Sequence, residues 1–114
     1  MTKFRLFASE AEIKFRELRA SGFKPGETEE YSLTHGGNAD TETLGMFDTK
    51  EEALAELEKC GATTFMQLTS PSGKYYLVRE YGVEELELDE DGDVIQGEGV
   101  WAYSPAELPE EVLA

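Results

Sequence analysis

The stretch Glu87–Glu98, "ELDEDGDVIQGE", can be read as a calcium loop or as the tip of a β-hairpin, and the choice decides the fold. A calcium loop of the EF-hand kind needs oxygen ligands at positions 1, 3, 5 and 12, with glycine at 6 for a sharp turn. Glu87, Asp89, Asp91, Gly92 and Glu98 fill those places. Only the first departs, because Glu replaces the usual Asp and its extra methylene crowds the ion. The flanks favour the hairpin. An EF-hand needs a helix on each side, whereas "YYLVREYGVEEL" before Glu87 is rich in aromatic and β-branched residues and "GVWAYS" after Glu98 is short and β-favouring.

A hairpin centred on Asp91-Gly92, a favoured type I′ pair with both residues at positive φ, predicts a definite register. It sets Leu88 opposite Ile95, Leu86 opposite Gly97, Glu85 opposite Glu98 and Gly82 opposite Trp101. Leu86, Leu88, Ile95, Trp101 and Tyr103 then share a core-facing side. Glu85, Glu87, Gln96 and Glu98 share the solvent side. Like charges directly opposite each other are destabilising, so the Glu85–Glu98 pair gains nothing for stability. A partner that brings Lys or Arg would relieve it.

Charge is the outlying property of the whole chain. Its 114 residues carry a net charge of −15, yet 39% of them are hydrophobic, with six Phe, five Tyr and one Trp, which is the composition of a folded domain. Residues 1–24 hold six bases (Lys3, Arg5, Lys14, Arg16, Arg19, Lys24) against three acids, and no Lys or Arg follows Arg79. Such a molecule is repelled by nucleic acid phosphates and anionic lipid and attracted to basic protein surfaces. Self-association between the opposite poles stays open. No apolar run approaches the length of a membrane span, the N-terminus lacks a signal peptide's apolar core, and a single cysteine, Cys60, makes no internal disulfide. A cytoplasmic location is the expectation.

Along the chain, "TKFRLFA" alternates as a strand. Ser9 and Glu12 form a capping box, and Ala11, Phe15 and Leu18 fall at helical spacing, which predicts a helix over 10–20 stopped by Gly22. "YSLTH" and "TETLGMF" are short strand candidates. "DTKEEALAELEKCG" predicts a second helix over 49–60, capped by Asp48 or Thr49, ended by Gly61, with Ala53, Leu54, Leu57 and Cys60 as its buried stripe. "TTFMQLT" and "KYYLVREY" follow as strands around the turn "SPSG", then "VEELEL" and "VIQGEGVWAY" around "DEDGD". The expected fold is α+β: one compact domain over 1–114 with a mainly antiparallel sheet of about five or six strands, two main helices on one face, and a short C-terminal tail over 104–114.

Catalytic signatures are weak. His35 in "THGGN" has no accompanying nucleophile elbow, and "SPSGK" lacks the first glycine of a phosphate loop. One His and one Cys make no zinc site, Cys60 sits on an apolar helix stripe, and no cofactor motif occurs. An ordinary enzyme is not expected.

Three classes of function remain. The first is a small acidic interaction module that docks a basic protein surface through Glu84, Glu85, Glu87, Asp89, Glu90, Asp91, Asp93 and Glu98. Its sharper version is a nucleic-acid mimic that inhibits a nucleic-acid-binding protein, by analogy with phage anti-defence inhibitors in size and charge alone. The second is a housekeeping domain with a small-ligand groove lined by Tyr75, Tyr76, Tyr81, Trp101 and Tyr103, residues for which strand packing is the stronger reading. The third is the calcium-binding protein that the flanks of Glu87–Glu98 disfavour.

Overall fold

The computed structural model describes residues 1–15, 40–71 and 73–105. Five strands and one helix run in the order β1 (Thr2–Lys14), β2 (Asp40–Phe47), α1 (Lys50–Cys60), β3 (Thr64–Ser70), β4 (Gly73–Leu88) and β5 (Val94–Tyr103). The strand expected at "YSLTH", His35, the bases Arg16, Arg19 and Lys24, and the chain from 106 onward lie outside the described residues.

All strand pairings are antiparallel, and β4 is their axis. One edge of β4 pairs with β1 over thirteen residues, from Thr2 opposite Glu87 to Lys14 opposite Tyr75, and β1 pairs in turn with β2. The other edge is shared. β3 covers Gly73–Arg79 and β5 covers Gly82–Leu88, so the two strands lie end to end along it.

Their joint is polar and fully bonded. Ser104, buried just past β5, donates its N–H to the Tyr81 carbonyl at 2.7 Å, while its hydroxyl accepts the Tyr81 N–H at 2.9 Å. The Thr63 hydroxyl, just before β3, lies 2.7 Å from that of Ser104, and the Thr63 N–H reaches the Pro105 carbonyl at 2.8 Å.

The expected break between "KYYLVREY" and "VEELEL" is absent. Gly82 continues the strand and serves close approach instead, since a Cβ there would lie 2.5 Å from Cζ of Phe7 on the neighbouring strand.

The helix expected over 10–20 is corrected over its first part, where residues 10–14 continue β1; the remainder, with the stop at Gly22, lies outside the described residues. The alternation Phe7, Ser9, Ala11, Ile13 competes with the helical spacing. It wins because β4 offers partners: Ala11 lies opposite Val78, Ile13 opposite Tyr76, and Glu10 opposite Arg79, whose guanidinium is 3.4 Å from its carboxylate. Tertiary pairing overrides local propensity here. One helix, not two, packs against the sheet among the described residues.

α1 forms as its sequence demands. The Thr49 hydroxyl accepts the Glu52 N–H at 3.2 Å as N-cap, Glu51 and Glu52 sit at the positive end of the dipole, and the helix ends at Gly61. Its buried Ala53 and Leu57 close a core with Leu6 and Val83, ringed by Phe4, Phe47, Leu54, Cys60, Tyr81 and Ala102. The opposite face of the sheet buries Phe7, Ala11, Tyr76, Val78 and Leu86. No helix among the described residues is long and apolar enough to cross a membrane.

Candidate functional site

The stretch 87–98 is a hairpin tip between two strands, with a turn one residue longer than a type I′ pair. The Asp89 N–H bonds to the Asp93 carbonyl at 2.9 Å and the Gly92 N–H to the Asp89 carbonyl at 3.1 Å, which encloses Glu90, Asp91 and Gly92. Only Gly92 has positive φ, at 85°. This is the three-residue loop in which a left-handed glycine follows an ordinary turn. Oδ1 of Asp89 stabilises it by accepting the N–H groups of Asp91 and Asp93, both at 2.9 Å.

The longer turn starts β5 one residue out of the expected register; the first of three irregularities restores it, and the next two carry it past. Leu88 faces Val94 rather than Ile95, Leu86 faces Gly97 as expected, Glu85 faces Gly99 rather than Glu98, and Gly82 faces Tyr103 rather than Trp101. Ile95, Glu98 and Trp101 are therefore the extra residues of three β-bulges spaced three apart. A bulge leaves its extra residue out of the ladder and bends the strand. The expected core row is corrected accordingly. Leu86 and Leu88 are buried, but Ile95 is 65% and Trp101 51% exposed. Glu98 is no longer the residue directly opposite Glu85, whose partner is Gly99.

The eight acidic residues divide into two groups. Glu84 lies opposite Arg5 on β1 and pairs with its guanidinium at 2.7 Å. Glu85 accepts the indole N–H of Trp101 at 3.3 Å. Glu87 accepts the Met1 amino group at 2.5 Å and the Thr2 hydroxyl at 2.8 Å; these bonds, the amino group's first, hold its carboxyl below the usual range. Asp89 is occupied by the turn. Glu90, Asp91, Asp93 and Glu98 are exposed, with no hydrogen-bonding or ionic partner for their side chains among the described residues. The loop and β5 contain no Lys or Arg.

Sequence reasoning missed the apolar component beside these carboxylates. Val94, Ile95, Val100 and Trp101 are all exposed. The doublets "VI" and "VW" carried the signal, since neighbours on a strand point to opposite faces and only one of each pair can join the row of Leu86 and Leu88. Trp101 is held from two sides, by Glu85 at its N–H and by the Lys50 ammonium 4.3 Å from its ring centroid.

The other expected constellations do not converge. Among the described residues, Tyr76 is buried, Tyr103 packs edge-on against Phe7, Tyr81 lies under the Arg79 guanidinium, and Trp101 is exposed beside α1. A recess of about 390 Å³ is lined instead by Glu10, Ala11, Glu12, Asp40 and Leu77. Ligand pockets are mostly apolar, and this lining is mostly carboxylate. No group of three or more His, Cys, Asp or Glu among the described residues is arranged to hold a metal. Arg5, the described member of the basic patch with Arg16, Arg19 and Lys24, is committed to Glu84 and Thr43. No family model, curated protein or solved structure matches the chain.

Proposed function

We propose that the protein is a small acidic interaction module, binding rather than catalytic, that docks a basic protein surface through the β4–β5 hairpin. The observation that carries this reading is the tip itself, where the exposed carboxylates of Glu90, Asp91, Asp93 and Glu98, none paired with a cation among the described residues, stand beside Val94, Ile95, Val100 and Trp101. Carboxylates steer a basic partner and set its orientation, while desolvated aromatic and aliphatic side chains supply affinity. Nucleic acid is disfavoured by charge, whereas a protein that binds nucleic acid presents the complementary surface.

The sharper version is inhibition of such a protein by imitating phosphates. It rests on charge density rather than on a regular row. Same-face residues on a strand recur about every 6.6–6.8 Å, but the bulges of β5 interrupt that repeat.

The test is a competition. The domain and its Glu90→Gln, Asp91→Asn, Asp93→Asn, Glu98→Gln variant are immobilised and exposed to purified basic nucleic-acid-binding proteins at low and physiological ionic strength. Retention by the wild type, release by duplex DNA, and loss of retention in the variant are expected. Equal retention by both forms contradicts the reading. Because the four replaced carboxylates hold no internal partner, the variant keeps the fold and a negative result is interpretable.

A further inference from the structure

We propose that the outer edge of β3 is a self-association surface, on which a second copy of this chain pairs β3 to β3 in antiparallel fashion. Among the described residues three strands end the sheet, and two of them carry the features that prevent edge pairing. β5 has three bulges and the carboxylates flanking and within it, while β2 has Asp40, Glu42 and an extra residue, Leu44, at its irregularity opposite Leu6 and Phe7. Charges and bulges blunt an edge against further strands. β3 has neither. It pairs with β4 in unbroken register over all seven residues, and "TFMQLTS" contains no charge and no proline. It lies within residues 61–73, thirteen consecutive residues without an acid or base in a chain that is 31% charged. Met66 on this strand is 60% exposed, and Thr64, Gln67 and Thr69 are exposed as well.

Charge selects the occupant. With 25 acids against 10 bases, most surfaces of one copy repel another, and the β3 edge is where two copies meet without opposing carboxylates. A two-fold axis at Gln67 aligns the strand completely, setting Met66 opposite Leu68, Phe65 opposite Thr69 and Thr64 opposite Ser70 of the second copy. The contact is isologous and closed, so it ends at a dimer. Long-range repulsion between the acidic chains gives the dimer a distinctive salt response. Screening strengthens it, whereas docking of a basic partner on the hairpin weakens with salt. The two surfaces are therefore separable by experiment.

Sedimentation equilibrium over a concentration series, at low and raised salt, tests the pairing. The wild type should move from the 12.7 kDa of one chain toward twice that mass, and further so at raised salt. Gln67→Lys, which sets two ammonium groups face to face at the axis, should remain a single chain and melt as the wild type does when diluted to a single chain. In a Cys60→Ser background, Gln67→Cys should oxidise to a linked dimer, because directly opposed residues lie about 4.5–5.5 Å apart between Cα atoms. Thr69→Cys in the same background should not. A single-chain mass at every concentration and salt, or a dimer that survives Gln67→Lys, overturns the proposal.

Discussion

Ser104 and Cys60 show how single side chains set the limits of this fold. The Ser104 hydroxyl accepts the part-buried Tyr81 N–H and meets Thr63, so it fastens β5 to β4 and β3 to β5 at one point. Ser104→Ala leaves a part-buried donor without its acceptor and should cost about 1–3 kcal/mol, read as a lower urea midpoint with an unchanged slope. Cys60, the last residue of α1, packs at the rim of the core. Burial first, then the Glu56 carboxylate, raise its thiol pKa, against a smaller lowering by Arg79. The folded protein therefore binds the thiol proton more tightly than the unfolded chain. The resulting stability is complete below the ordinary thiol pKa and is lost as pH rises through the raised folded value. Alkylation of Cys60 at mildly alkaline pH should be slower in the native protein than in urea, and native alkylation as fast as in urea would contradict its placement.

At the scale of elements, legibility follows how local the determining physics is. α1 was readable because its cap, dipole charges, stripe and stop all lie within Thr49–Gly61. The hairpin was readable for the same reason, from Asp91-Gly92 and its β-favouring flanks. Residues 10–14 were not, because Ser9 and Glu12 imitate a capping box and only the distant Tyr75–Glu80 segment makes the strand the better choice. The bulges at Ile95, Glu98 and Trp101 likewise depend on the partner strand, which is why Ile95 and Trp101, exposed in the structure, were assigned to the core from sequence. Gly92 tests the turn directly. Gly92→Ala forces a side chain into the left-handed region and should cost about 1–2 kcal/mol in the same urea experiment. Asp91→Ala, at a residue without positive φ, should escape that strain.

For the whole molecule, the division of charge and order is the feature to explain. The bases of the described residues are largely spent within the sheet and helix, as Lys3 on Asp48, Arg5 on Glu84, Lys59 on Glu56 and Arg79 on Glu10 and Glu42. Of the carboxylates left without a cation among the described residues, Glu90, Asp91, Asp93 and Glu98 lie together on the hairpin, while Glu12, Asp40, Glu51 and Glu58 lie elsewhere. Neutralising Glu90, Asp91, Asp93 and Glu98 should leave stability equal or slightly higher, since like charges are removed and no bond is lost. The central claim is that this tip is where a partner docks. Hydrogen exchange of the free domain against its complex with a basic protein that duplex DNA displaces tests it most directly. Slowed exchange confined to the turn and β5, over 88–101, with β3 unchanged, is the predicted result. Protection centred on α1 or on the recess at Glu10 and Asp40, with the hairpin exchanging as in the free domain, would contradict the account.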